Sequence, residues 1–265
     1  METIIFHAGN AGLFFYRDGT GILIDGIYDG GEVGMSPMPE QWKNDMLQGR
    51  GLFERTDGLL FTHLHPDHYN KELTEQYLTE LKMQEKNISC YGPGWEHNNV
   101  AVEALGDGMS RFRIGIAEII TRRTIHDGEI WRKDLHDSFL IKMGDECFLI
   151  AGDAELFESD ADAFLRYTDK VQIAFVNLYQ LNGKTGQDCL AKIQPQRVML
   201  YHLPYEEDDS YHYLQLSRQI VRRFTRTCNM QPEAMEHMSW VDHHDITFRS
   251  YAAHGSAAAM RVHSK

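Results

Sequence analysis

The chain is short of the features that cross-link many proteins or direct them elsewhere. Cysteine is scarce, four in 265 residues, and Cys90, Cys147, Cys189 and Cys228 fall without any CxxC spacing. That scatter excludes a disulfide framework and a cysteine zinc knuckle, and it points to free thiols in a reducing, cytoplasmic setting. Proline is scarce too, with seven residues. No Pro/Ser-rich linker, low-complexity stretch or internal repeat divides the sequence, so one domain over 1–265 is expected. No apolar run approaches the ~20 residues of a membrane span. The stretch Met1-Glu2-Thr3-Ile4-Ile5-Phe6-His7 has an acid where a signal peptide carries basic residues.

Basic residues are outnumbered, 26 Lys and Arg against 39 Asp and Glu, for a net charge of −13. Such a surface repels phosphate backbones and argues against a protein built mainly to grip nucleic acid. The small clusters Arg111/Arg113, Arg122/Arg123 and Arg222/Arg223 read as solvated faces. A small-molecule substrate is the expected partner, and a homo-oligomer stays open.

What is present is an ordinary hydrophobic fraction of 42% and 14 histidines. A chain of this length buries about three quarters of its unfolded surface, so its core needs no staple. Leu13 to Tyr16 and Ile22 to Asp25 flank a Gly-containing turn and predict a hairpin. Residues 27–51 form a long excursion in which Met35, Met38, Trp42 and Met46 read as packing residues. Leu59 to Thr62 predicts a buried strand, Asp67 to about Lys86 a helix and Ile88 to Tyr91 a strand. Ile114 to Ile125 is one long strand or a pair. Ser138 to Ile141 and Cys147 to Ile150 form a second hairpin. Helices are expected over 160–167, 187–193 and 211–226, with strands over 173–176 and 198–201. Strands come in hairpins first and alternate with helices later, which predicts a mixed α/β layered fold. The core is expected over about 3–205, with a helix and a short strand in 206–265.

The sharpest feature is Thr62-His63-Leu64-His65-Pro66-Asp67-His68, at the end of a buried strand. Residues two apart in extended chain point to one side, so His63 and His65 can converge on one cation. If a helix starts after Pro66, Asp67 and His68 project from its first turn toward a neighbouring point. Three later strands end in the same residue types, at His126, at Gly152-Asp153 and at His202. Sites in α/β proteins gather at the carboxyl ends of strands. Taken alone, Asp153 reads equally well as a helix cap and His202 as a core histidine. Their agreement with the first motif is what singles them out.

His63-x-His65-x-Asp67-His68, followed by a single His, a Gly-Asp pair and a strand-terminal His, resembles the metallo-β-lactamase superfamily of hydrolases. The resemblance implies a four-layer αββα sandwich, with two metal ions at one edge of the sheets. His63, His65 and His126 would hold one ion. Asp67, His68 and His202 would hold the other, and Asp153 would bridge. His136 competes with His126 for the third place, and the family's spacing to the bridging Asp favours His126. An Asp rather than a Cys at the bridging place, and His68 after Asp67, set the chain apart from antibiotic-degrading β-lactamases. Tyr69-Asn70 lack the Gly-rich continuation of the transfer-RNA processing nucleases. The pattern is more similar to the ascorbate-phosphate lactonase-like group.

The implied chemistry is hydrolysis of an ester, lactone or phosphodiester by water activated between two divalent ions. Asp67 would orient that water or handle its proton. Imidazole and carboxylate donors suit zinc best, while manganese or iron also fit. His7 and Asn10 in the turn His7-Ala8-Gly9-Asn10-Ala11-Gly12, and Tyr179, are candidate substrate contacts. Tyr201 is a further candidate donor to a leaving group. A phosphodiesterase or nuclease of the same fold, and a metal-binding sensor without turnover, are the competing readings. His237, His243, His244, His254 and His263 match no ligand spacing and read as structural or exposed.

Overall fold

The computed structural model describes residues 2–30, 34–228, 230–235, 239–241 and 249–250. The tail histidines named above lie outside the described residues or their described side chains. Alternation along the early strands sets up the first layer. β1 (Ile4–His7), β2 (Leu13–Arg17), β3 (Thr20–Ile24), β4 (Gly58–Leu60) and β5 (Ser89–Tyr91) lie side by side in that order. β1, β2 and β3 run antiparallel, while β3, β4 and β5 run parallel. Successive side chains leave opposite faces of a strand. Ile5, Leu13, Phe15, Ile22 and Ile24 therefore face one way and Phe6, Phe14 and Leu23 the other, and both sets are buried. A sheet apolar on both faces must be covered on both.

The outer face is covered by α1 (Glu40–Leu47) and α2 (Lys71–Met83). Trp42 and Met46 of α1 and Tyr77 and Leu81 of α2 pack on Phe6, Phe14, Leu59 and Phe61. The 27–51 excursion thus supplies a covering helix, and Met38, Trp42 and Met46 are packing residues. The inner face meets a second sheet, built from β6 (Glu103–Gly106), β7 (Met109–Ile114), β8 (Ala117–His126), β9 (His136–Met143), β10 (Glu146–Ile150), β11 (Ala154–Glu155), β12 (Ile173–Val176), β13 (Arg197–Leu200) and β14 (Glu233–Ala234). Its order is β14-β13-β12-β10-β9-β8-β7-β6, with β11 paired to β8. Between the sheets Phe15 meets Phe148 and Phe175 at ring distances of 5.2 and 5.7 Å. The far face of the second sheet carries α3 (Glu158–Leu165), α4 (Leu178–Asn182), α5 (Lys184–Ile193) and α6 (Tyr213–Cys228), packed through Phe164, Leu190 and Phe224. The order of layers is helix, sheet, sheet, helix, the αββα sandwich expected from the sequence.

Several boundaries differ from the sequence reading. Within 114–125 the chain forms one long strand, β8, after a turn at Gly115, φ +53°, that follows the last residue of β7. β1, β6 and α4 were not anticipated. β15 (Ser239–Val241) pairs antiparallel with β1, and β16 (Arg249–Ser250) pairs with β15. The first sheet is therefore completed by chain well past residue 205, where the sequence reading ended the core.

Because Phe15 fills the seam between the sheets, Phe15→Ala should lower unfolding stability by about 3–5 kcal/mol. Urea denaturation followed by circular dichroism reads this directly, and a loss under about 1 kcal/mol would show the seam to be loosely packed.

Candidate metal centre

The strand ends of both sheets converge on one group of polar side chains. β4 ends at Leu60, and the chain then leaves the ladder. Thr62 gives its backbone N–H to Asp25 Oδ1 at 2.8 Å instead of to a neighbouring strand. The turn 66–68 is closed by hydrogen bonds from His68 and Tyr69 N–H to His65 carbonyl oxygen, 3.0 and 2.8 Å. The expected helix from Asp67 starts only at Lys71. Asn70 caps it by accepting from Leu73 N–H at 2.9 Å, so Asp67 and His68 project from a turn, not from a first helical turn.

Two groups of donor atoms result. His63, His65 and His126 form one, and Asp67, His68, Asp153 and His202 form the other; within each group the donor atoms all lie within 4.8 Å of one another. The rings of the first group make a near-equilateral triangle, with centroid separations of 4.6, 4.7 and 4.7 Å. In the second group His202 Nε2 lies 3.1 Å from Asp67 Oδ2, and its Nδ1 lies 3.5 Å from Asp153 Oδ1. All seven predicted ligand residues are thus in the two groups, and His136 is in neither.

Each imidazole is held by one nitrogen. His63 Nδ1 meets Thr62 Oγ1 at 3.1 Å, His68 Nδ1 meets Asp25 Oδ2 at 2.9 Å, and His126 Nδ1 meets the Asp127 carbonyl oxygen at 2.7 Å. The Nε2 atoms of these three rings are buried and have no hydrogen-bond partner. A buried nitrogen left so would cost about 1–3 kcal/mol in an ordinary interior. Three of them aimed into one space, beside ionised carboxylates, fit a metal-binding donor set. His65 is oriented differently: its Nε2 contacts Asp134 Oδ2 at 3.0 Å, which leaves Nδ1 toward the other two rings. Oriented imidazoles of this kind are the usual support of a metal site.

The electrostatics point the same way. Burial, reinforced by His68 and His136, holds His63 well below the ordinary imidazole pKa, and burial also lowers His126. Both are neutral donors at pH 7. Burial pulls His68 down as well, but Asp25, Asp153 and Asp67 outweigh it and raise its pKa well above normal. For Asp67 and Asp153 burial raises the pKa, and the surrounding histidines more than reverse it, so both carboxylates are ionised.

Beneath the donors lies a support that sequence reasoning missed. Asp153 N–H donates to His136 Nε2 at 3.0 Å, which places the His136 proton on Nδ1. That Nδ1–H donates to Thr124 Oγ1 at 2.7 Å, Thr124 to Ser138 Oγ at 3.2 Å, and Ser138 to the Ala151 carbonyl oxygen at 2.8 Å. The relay closes around the Gly152-Asp153 bend. A Cβ at Gly152, φ +59°, would sit 2.6 Å from His136 Nε2. Asn177 Nδ2 holds Asp153 Oδ1 at 2.8 Å. In the sequence, His136 and Asp25 stood at strand ends beside known ligand types, and that was the only available signal.

The three substrate candidates part company. His7 and Asn10 are fully buried. His7 Nε2 donates to the Asn10 carbonyl oxygen at 2.9 Å, and the Asn10 side chain is bound to the Ser36 backbone. The same Asn10 carbonyl accepts from His202 N–H at 2.9 Å and secures His202 at φ +58°. Their place is under the centre, as support, and not at its surface. Tyr201 is buried as well, its hydroxyl accepting from Gly152 N–H at 3.1 Å. Tyr179 stands half-exposed on α4, with its hydroxyl pKa raised by burial and by Asp153.

The Asp25 carboxylate joins the backbone of Thr62 to the ring of His68. Asp25→Asn keeps an acceptor for Thr62 N–H but sets an amide donor against the His68 Nδ1–H. Metal affinity should fall about 10–100-fold with the fold kept, as competition with a fluorescent chelator would show; unchanged affinity would remove Asp25 from the support.

No protein-family model matches the sequence, and no curated protein matches it. Solved structures do. CmlA, a diiron beta-hydroxylase from Streptomyces venezuelae, superposes with TM-score 0.59 at 16% identity, over 89% of this chain and 53% of its own; the chain thus spans about half the length of CmlA. The metallo-beta-lactamase fold protein YhfI from Bacillus subtilis gives 0.58 at 12% identity, over 90% of this chain and 97% of that one. Igni18, a novel metallo hydrolase from Ignicoccus hospitalis, gives 0.55 at 16%, over 91% and 98%. With its layer order and its paired His/Asp groups, the chain has the metallo-β-lactamase fold.

Proposed function

We propose that the protein is a metal-dependent hydrolase that opens an ester, lactone or phosphodiester bond of a small substrate. The observation that carries this reading is the pair of donor groups with three orphaned, inward-facing Nε2 atoms. His63, His65 and His126 would hold one divalent ion and Asp67, His68 and His202 a second, with Asp153 bridging. Two such ions supply a water of near-neutral pKa and an electrophile for the bond to be cut. The donors include no thiolate and suit zinc, manganese or iron.

The remaining chemistry belongs to the chain. Asp67 stays ionised because His68 and His202 outweigh its burial, so its carboxylate can orient the attacking water and take its proton. Asp153 is kept in place by Asn177 and by the His136 relay. The Tyr179 phenol keeps its proton, since burial and Asp153 oppose its ionisation, and it can donate a hydrogen bond to the substrate or leaving group. The arginines of the two clusters in 111–123 are paired with carboxylates: Arg111 with Glu103, Arg113 with Glu118, Arg122 with Asp160, and Arg123 with Asp137. That favours a small substrate over a polynucleotide.

Protein purified without chelator should contain about two equivalents of zinc, manganese or iron by elemental assay, and Asp153→Ala should lower that content. His65→Ala and Asp67→Ala should lose at least about a hundredfold in turnover of a reporter ester, lactone or phosphodiester. Full metal loading without turnover of any such reporter would favour the sensor reading; no metal even after reconstitution would end both.

Loading should also release protons. His68 is protonated at neutral pH in the metal-free protein, because its raised pKa lies above the solution pH, and an ion at Nε2 must displace that proton. Affinity should therefore rise from about pH 6 to about pH 8, with proton release visible to an indicator dye; a flat affinity would contradict it.

A further inference from the structure

Two groups of partly exposed aromatic side chains lie near the donor atoms, and their chemistry bears on what the centre would admit. The first wall is the segment after His126. Trp131 stands edge-on to His65 at a ring distance of 4.8 Å and lies 6.5 Å from His126, with 39% of its surface exposed; its neighbour Ile130 is 78% exposed. The segment is pinned rather than loose. Asp134 holds His65 at 3.0 Å, Arg132 pairs with Glu155 at 2.9 Å, and Trp131 N–H donates to the Gly128 carbonyl at 3.0 Å. An apolar side chain fixed in solvent beside an ordered set of donor atoms has no packing role to explain it.

The second group, the tyrosine wall, comes from α4 and the start of α6. Tyr179 on α4 is 47% exposed, and Tyr213 opens α6. Tyr179 is tied to the centre through Asn177, which accepts from Tyr179 N–H and holds Asp153; burial raises both phenols, and the Asp67 and Asp153 carboxylates add to the rise in each. Tyr211 continues this wall, 5.9 Å from Tyr213 ring to ring. It lies against Gly34, where any side chain would collide with the Tyr211 ring.

The charge around both walls is acidic. Segment 127–135 bears Asp127, Glu129 and Asp134 against Arg132, already paired to Glu155, and Lys133. The loop before Tyr211 bears Glu206, Glu207, Asp208 and Asp209 and no Lys or Arg. A mouth of this composition repels anions and leaves Lys133 as its one cation not engaged by a described carboxylate. A phosphodiester or sugar phosphate needs more than that, in the form of several cations or a guanidinium fork.

We propose that the substrate carries no negative charge beyond the reacting group, and that it presents a flat, aryl-sized apolar group to Trp131 and the tyrosine wall. This rests on the hydrolase reading and narrows it to neutral aryl-bearing esters or lactones. Edge-to-face contact with an indole and two phenols recognises such a group, and the pinned segment presents Trp131 without a loss of loop entropy.

Binding tests this without turnover. Acetohydroxamate and phenylacetohydroxamate share one metal-chelating head and differ in the aryl arm. On the metal-loaded protein, calorimetry should show the aryl probe binding at least about tenfold more tightly. In Trp131→Ala or Tyr179→Ala the ratio between the two probes should fall toward unity. A para-carboxylated phenylacetohydroxamate should bind more weakly than its neutral parent at low salt, with the gap closing as salt is added. Equal affinity of the two first probes, or an aryl advantage that survives in both variants, overturns the aromatic subsite. Equal or tighter binding of the carboxylated probe overturns the charge preference. Binding intact with no hydrolysis of any ester, lactone or phosphodiester ends the hydrolase reading and leaves the subsite standing; no hydroxamate binding at all ends both.

Discussion

Seven imidazoles and carboxylates packed into a few ångströms of protein interior set the terms for everything around them. Each must have its hydrogen-bonding and charge satisfied on the side away from the centre, because burying an unpaired charge costs several kcal/mol. Four of the five rings have an anchor outside the centre, Thr62 for His63, Asp134 for His65, Asp25 for His68 and the Asp127 carbonyl for His126, while His202 lies between Asp67 and Asp153 and is fixed through its backbone. The histidines face carboxylates, so that the cationic His68 is balanced by Asp25, Asp67 and Asp153. Backbone strain is accepted at the same places. Asp25 and His202 both adopt left-handed φ, +48° and +58°, which for a non-glycine costs about 1–2 kcal/mol. Both are locked there by hydrogen bonds, Asp25 by Thr62 and His202 by the Asn10 carbonyl.

Much of this arrangement is legible in the sequence, because it rests on local periodicity. The unbroken apolar runs Leu13 to Tyr16 and Ile22 to Ile24 are what strands covered on both faces require. The His63-x-His65-x-Asp67-His68 run shows where a buried strand stops and donors begin. Gly152-Asp153 and His202 could be found by asking what each later strand ends in. The preference for His126 over His136 comes from the spacing to the bridging Asp that the family resemblance implies; in the structure His126 pairs with Ala154, the residue after Asp153, and lies in the first donor group.

What stayed hidden is defined by contacts between distant segments of the same residue types. Asp25 and His68 are 43 positions apart, and nothing local marks Asp25 as a partner rather than a turn residue. His136 has the composition of a ligand, and only its two hydrogen bonds show it to be a support. His7 and Asn10 sit in a Gly-rich turn of the kind that often meets substrate, yet β15 covers one side of β1 and Ser36 takes up the Asn10 amide. The late start of α2 has a similar cause. Hydrogen bonds from residues 68 and 69 to His65 hold a tight turn, and Asn70 offers a better cap than anything before it.

The division of labour within the fold follows from these anchors. The donors sit where strands end, fixed by two ladders and a buried relay, while the walls of the mouth belong to the connections. Segment 127–135 does both jobs at once, since Asp134 steers His65 and Trp131 three residues earlier faces the opening. A change in that segment cannot alter the wall without disturbing a donor unless Asp134 stays in register. The tyrosine side chains carry no such burden: Tyr179 follows Asn177, whose amide secures Asp153, and Tyr213 is held by Asp209 through its backbone and by packing on the helical core, with no donor residue depending on it in a described hydrogen bond. Substitution is therefore physically cheapest on the α4 and α6 side, while on the indole side a change at Trp131 must leave the Asp134 contact to His65 in register.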